Sequence, residues 1–157
     1  MLLRILASAI VYFGFAMIAD AQDASTLTIS GAGDATHDFS VEVVNTPELI
    51  EQGLMGRTEL AADAGMLFDY SEPQQIAMWM KDTPLPLDML FLNASGKVVA
   101  IARNTVPNSE RRITPGFAVR AVLELNGGTA SALEIAPGAI VRHSLFGNVT
   151  DTSTAGE

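Results

Sequence analysis

The residues best equipped for chemistry lie in one short stretch, Met78-Trp79-Met80-Lys81-Asp82-Thr83-Pro84-Leu85-Pro86-Leu87-Asp88, which holds the only Trp and one of the two Lys. In an extended segment successive side chains point to opposite sides. Met78 and Met80 therefore face one way, and Trp79 and Lys81 the other. Pro84 and Pro86 fix their own φ and bias Thr83 and Leu85 away from helix. On this stiff frame Lys81 offers a donor and a charge, Thr83 a hydroxyl, Asp88 an acceptor and Trp79 a flat stacking wall. These are the parts of a small polar pocket with little entropy to lose on binding. A purely structural reading competes: Trp79 in the core, Lys81 bridging to Asp88 or Glu124, and the prolines only turning the chain.

Two further residues are candidates. Arg57 follows Gly53-Leu54-Met55-Gly56 at an expected helix end. There a guanidinium either satisfies the last carbonyls or grips a carboxylate or phosphate bidentately. Glu124 lies in the apolar run Ala121-Val122-Leu123-Glu124-Leu125 and shares a face with Val122 by alternation. It is either on a wet face or buried, and a buried acid calls for Arg57 or Lys81 as partner.

Other chemistries find less footing. Five of the seven Met lie between Met55 and Met89, and thioethers are ligands for Cu(I), but Met also fills irregular cores. His37 and His143 lack metal spacing and read as surface residues, as does the loop pair Arg111-Arg112. There is no Cys, which removes thiol nucleophiles, Cys zinc sites and disulfides. There is no Gly-x-Ser-x-Gly elbow, and Gly31-Ala32-Gly33 lacks the rest of a dinucleotide fingerprint. No cofactor or metal is implied.

The elements that must position these groups are short. Strands are predicted at Leu27 to Ile29, Phe39 to Val43, Gly65 to Phe68, Gln75 to Met80, Met89 to Leu92, Lys97 to Ala102, Val119 to Leu125 and Ala139 to His143. Thr46-Pro47-Glu48 starts a helix that runs to about Met55. Thr129 is expected to cap a second helix that reaches about Leu133. Ser71-Glu72-Pro73 reads as a turn. Strands occur mostly in runs, which argues against parallel βαβ winding. The expected fold is α+β: a mainly antiparallel, strongly bent sheet or half-open barrel with two short helices.

The 157-residue chain carries a net charge of −9 with nine Lys and Arg. This balance disfavours nucleic acid and anionic lipid as partners. Arg4, the apolar run Ile5 to Ile18 and Ala19-Asp20-Ala21 form a signal-peptide pattern too short for a membrane span. The predicted organisation is a signal peptide at 1–21, a loose lead-in at 22–36, one globular domain at 37–146 and a disordered tail at 147–157. The mature form is expected to be periplasmic or secreted, with no membrane span once the signal is cleaved.

From about Phe39 to Arg142 the chain resembles the bacterial and archaeal family named domain of unknown function 192. The resemblance rests on Gly53-Leu54-Met55-Gly56-Arg57, Gly65-Met66-Leu67-Phe68, Met78-Trp79-Met80-Lys81-Asp82-Thr83, Pro86-Leu87-Asp88 and Val122-Leu123-Glu124-Leu125 followed by Gly127-Gly128. Asp82 stands where the family usually has Asn, and Gly56 where it has a bulky residue. The resemblance implies a compact β-rich domain, often exported, and brings no established activity.

The functional expectation is a binding or accessory module for a small polar or anionic ligand, held by Arg57, Trp79, Lys81, Thr83, Asp88 and Glu124. One alternative is a hydrolase or lyase that uses Asp88 or Glu124 with Lys81 or Arg57. Another is a Met-based copper-binding module.

Overall fold

The computed structural model describes residues 25–31, 33 and 35–149. The expected signal peptide lies outside the described residues, as does the tail from 150 onward. Strands β1 (Ser25–Ser30), β2 (Thr36–Val44), β3 (Ala64–Gln75), β4 (Leu87–Leu92), β5 (Val98–Ala102), β6 (Ala118–Asn126) and β7 (Val141–Arg142) form one sheet in the order β5-β4-β6-β3-β2-β1-β7. Helix α1 (Pro47–Gln52) joins β2 to β3, and α2 (Thr129–Ala132) follows β6. Among the described residues no helix is long and apolar enough to cross a membrane.

The sheet is the curled half-barrel that the pattern predicts, and it is mixed. All paired strands are antiparallel except β2 and β3, which run parallel because the α1 crossover separates them. Its two ends meet. Val98 N–H donates to Ala139 O at 2.9 Å, Gly138 N–H to Val98 O at 2.8 Å and Val141 N–H to Gly96 O at 2.8 Å. A Cβ at Gly96 would stand 2.3 Å from Val141 O, so only glycine admits this closure. Asn148, in the segment expected to be a free tail, seals it by accepting from His143 N–H and donating to Ser95 O and Val141 O. His143, expected at the surface, is buried beside this closure. Its Nδ1 accepts from Leu145 N–H at 3.1 Å, so Nε2 carries the proton and donates to Ser25 Oγ at 2.8 Å.

Curling gives the central strands two covered faces. Inside lie Leu67, Leu90, Leu92, Leu123 and Leu125 with β1, β2 and α2. Outside lie Met66, Phe68, Met89, Phe91 and Val122, covered by Leu54, Met78 and Met80. Every residue of β4 is therefore buried.

Several local expectations hold and others shift. Thr46 Oγ1 accepts from Leu49 N–H, Pro47 opens α1, and Gly53 ends it at φ 45°. The segment 25–30 pairs with β2 along its whole length, although only Leu27 to Ile29 reads as strand by its residues. β3 runs straight through the expected turn at Ser71-Glu72-Pro73. It absorbs the turn as an irregularity between Asp69 and Gln74, with Ser71 at φ 64° and Asp69 held by Arg120 at 3.0 Å. Of the strand expected at Gln75 to Met80, Gln75 ends β3 and the remainder lies outside the main sheet. It bonds the 109–113 loop through Met78–Ile113 and Met80 N–H to Ser109 O.

Asp88 ties the inner face together. Its side chain is fully buried, and its two oxygens accept from Asn104 N–H and Ala130 N–H, each at 2.7 Å. The N-terminus of α2 is thus capped from β4, not by Thr129, whose side chain makes no cap; Gly128 stands at the cap position. Asp88→Asn replaces one acceptor by a donor facing a buried N–H. It is expected to destabilise the fold by about 1–3 kcal/mol in urea denaturation; a midpoint equal to wild type would contradict this role.

Candidate functional site

The corner between residues 78 and 87 is built by backbone contacts. Thr83 N–H closes a turn onto Met80 O at 3.1 Å, with Asp82 in the left-handed region at φ 50°. Short polar residues tolerate that conformation, which accounts for Asn or Asp at this position. Asp82 O accepts from Gly56 N–H at 2.8 Å, and Thr83 O from Asn108 N–H at 3.0 Å. Pro86 O accepts from Gly127 N–H at 2.9 Å. A Cβ on Gly127 would stand 3.0 Å from the Pro86 backbone and 2.7 Å from Asn104 Oδ1, so the contact demands glycine.

Alternation then sorts the side chains as expected. Met78 and Met80 turn into the outer core, where Met78 Sδ accepts from Tyr70 Oη at 3.2 Å and Met80 Sδ from Thr105 Oγ1 at 3.1 Å. Both thioethers are engaged by packing and hydroxyls. Trp79 faces outward and is 40% exposed, with Lys81 Nζ 5.2 Å from its ring centroid. The structural reading that placed Trp79 in the core and Lys81 in a salt bridge does not describe this corner.

Beneath Trp79 lies a crevice of ≈ 20 Å³, room for about one water. Its lining includes Glu51, Gln52 and Leu54 from the α1 segment, Thr83 from the corner, and Glu124 from β6. Thr83 is buried and donates to Lys81 O at 3.0 Å. Glu124 is 3% exposed, on the Val122 face that alternation gives it, but that face is covered rather than wet. Its paired neighbours across the sheet are Met66 and Met89. Neither expected cation reaches it, and among the described residues its carboxyl makes no hydrogen bond or ion pair. Every sealed side-chain polar atom among them does have a partner, so the Glu124 oxygens keep a small opening, which is the crevice. Burial among apolar groups pushes this carboxyl up to about 8. Burial also raises the nearby Tyr70 phenol, and the Glu124 charge adds to the effect.

The structure therefore brings Trp79, Thr83 and Glu124 together, with Lys81 on the outer face of the Trp79 ring. Arg57 and Asp88 are placed elsewhere. Arg57 forms a two-pronged pair with Glu42, which lies two strands from Glu124 in the same sheet row. That contact lowers the Glu42 carboxyl and raises the Arg57 guanidinium. Asp88 pairs in register with Leu125, the residue after Glu124, and points to the inner face. The reading from residue types did not include Glu51 and Gln52. Their only signal was position, immediately before the Gly53-Leu54-Met55-Gly56 segment. Among the described residues there is no cluster of three or more His, Asp or Glu able to hold a metal.

Two predictions follow from this geometry. Met80→Ala, in the core, is expected to cost about 2–5 kcal/mol, and Trp79→Ala, at the surface, less than about 1 kcal/mol. Equal losses in thermal or urea unfolding would contradict the placement. The second concerns pH. Folded Glu124 keeps its proton up to about pH 8, whereas the unfolded chain releases it near 4.5. The contribution of Glu124 is thus fully present below about pH 4.5, falls as pH rises, and levels off above about 8. The folding equilibrium should weaken by a factor approaching about tenfold per pH unit across that window. The His143 imidazole, held below its ordinary value by burial, acts the other way at pH below about 6.5. Glu124→Gln removes the first dependence only. The variant should gain on wild type as pH rises from 6.5 to 8, and parallel stability curves would refute the assignment.

Comparison with known proteins fits this architecture. A family model, DUF192, described as "Uncharacterized ACR", matches residues 28–143. A solved structure of a "putative transcription regulator" from Sinorhizobium meliloti 1021 is 43% identical, with a TM-score of 0.76, covering 77% of this chain and 94% of its own. A protein of unknown function from Novosphingobium aromaticivorans DSM 12444 is 37% identical, with a TM-score of 0.72, covering 75% of this chain and 84% of its own. No curated protein matches.

Proposed function

The chain belongs to the DUF192 family, and for this member we propose an exported binding module whose crevice at Glu124 receives a group of a small, neutral, hydroxylated ligand such as a saccharide. One observation carries the reading: a buried carboxyl without a protein partner, open only toward the crevice. Leaving such a group unsatisfied is costly, and a ligand hydroxyl entering the crevice relieves that cost. With its carboxyl pushed up to about 8, Glu124 is neutral at pH 7 and both donates and accepts a hydrogen bond. The crevice admits only a small group, so the body of the ligand lies outside it. There the exposed Trp79 ring and an adjoining hollow of ≈ 340 Å³ lined by Met78, Trp79, Glu110 and Arg112 provide a stacking surface. The signal-peptide pattern at 1–21 supports export. Nucleic acid is left out of the proposal because the net charge is −9.

A second reading draws on the same carboxyl. An acid that keeps its proton at neutral pH suits general acid catalysis in a hydrolase or lyase. A carboxylate pair with Asp88 finds no support, since both Asp88 oxygens are engaged on the opposite face. The copper reading likewise gains nothing from Met78 and Met80, whose sulfurs accept hydroxyls in the core.

Titrating neutral sugars and polyols while following Trp79 emission and the melting temperature tests the proposal. A binder is expected to shift both, and Glu124→Leu should weaken it by about tenfold or more. If no compound moves either signal, or if Glu124→Leu binds as well as wild type, the reading is wrong. Conversion of the compound, abolished by Glu124→Gln, would favour the catalytic reading.

A further inference from the structure

On the other side of the Met78–Ile113 bridge, the loop after β5 forms a separate groove of ≈ 540 Å³. Its lining includes Arg103, Asn104, Thr105, Ser109, Arg111 and Arg112. Three of the nine cationic side chains of a chain with net charge −9 thus meet in one place. Elsewhere, Arg57 and Arg120 are neutralised by Glu42 and Asp69. Among the described residues, none of the three groove arginines makes an ion pair. Arg103 is fastened by neutral acceptors only, Ile135 O at 2.7 Å and Ser131 Oγ at 3.4 Å, so its direction is set while its charge stays uncompensated.

The frame under these side chains is rigid. Asn104 N–H is held by the buried Asp88 carboxylate, Thr105 N–H by Leu87 O, and Asn108 N–H by Thr83 O. Ser109 O accepts from Met80 N–H, and Ile113 bonds Met78 in both directions. Asn104 and Asn108 take φ of 48° and 56°, the left-handed conformation that lets the loop fold back on itself. The guanidinium groups therefore stand on fixed backbone.

We infer that this groove binds a phosphate-type oxyanion, carried by a small molecule with a phosphate or diphosphate group. Planar guanidinium forks match phosphate oxygens two at a time, and three of them fit a group with more than one negative charge better than a single carboxylate. The volume falls in the range of small-molecule sites and exceeds what a bare phosphate fills. The single acid of this loop, Glu110, lines the hollow beside Trp79, not the groove. The groove shares Arg112 with the hollow beside Trp79 but none of the lining of the Glu124 crevice, so its test does not depend on Glu124.

Calorimetric titration at low salt with inorganic phosphate, pyrophosphate and sodium acetate tests the inference, with a parallel arm of phosphatidylcholine vesicles doped with phosphatidic acid. Pyrophosphate is expected to bind more tightly than phosphate, acetate least, and the affinity to fall as salt is raised. Arg111→Gln/Arg112→Gln should weaken pyrophosphate by about tenfold or more. Both residues are exposed, so the melting temperature without ligand should stay unchanged. Glu124→Gln should bind pyrophosphate like wild type. Vesicle binding lost in the double variant, without binding of the soluble anions, supports the groove with a lipid headgroup as the phosphate source. Equal pyrophosphate affinity in wild type and double variant overturns the inference, as does the absence of binding in every arm.

Discussion

The rest of the structure depends on the absence of a wet face on the central strands. The sheet curls until its ends bond, and the corner and α1 cover the outer face. β4 and β6 are thereby enclosed on both sides. Any polar side chain on them must find a partner inside the protein or remain poised for one. Asp88 and Glu124 are two answers to that constraint, one on each face. Asp88 receives two backbone N–H groups and becomes a structural tie between β4, the loop at Asn104 and the start of α2. Glu124, between Met66 and Met89 with no donor in reach, keeps its proton and opens onto a crevice.

The same tie organises the surface. Through Asn104, Asp88 fixes one end of the loop that carries Arg111 and Arg112, and hydrogen bonds to Met78, Met80, Thr83 and Leu87 fix the rest. The corner is thus a shared wall. One side meets α1 over Glu124; the other supports the arginine groove. Trp79, exposed beneath Lys81, marks the boundary. A crevice over a buried carboxyl and an arginine-lined groove lie on one acidic protein, each held by backbone rather than by flexible side chains.

Much of this frame was legible in the residues. The alternation of Met78 and Met80 against Trp79 and Lys81 appears as read, as does the start of α1 at Thr46-Pro47-Glu48 and the membership of Glu124 in the Val122 face. Short-range rules sufficed because side-chain direction in extended backbone and the geometry of a helix cap are local. Where distant segments intervened, those rules fell short. The turn at Ser71-Glu72-Pro73 was absorbed into β3 by pairing with β6. Thr129 was displaced as cap by a carboxylate 41 residues upstream in sequence.

By itself, then, the sequence determined most of the strands, the stiff corner and the family of the chain, because periodicity, prolines and glycines act over a few residues. Only the tertiary structure decided which polar groups meet. Lys81 and Arg57 looked equally available to Glu124. Yet Arg57 pairs with Glu42 through both carboxylate oxygens, and Lys81 lies over Trp79 on the exposed side. Arg111-Arg112 is the exposed loop pair that its residues suggest, and only the chain path sets Arg103 in the same groove. A site is a coincidence in space of residues far apart in the chain, and pairing depends on the curvature and closure of the whole sheet.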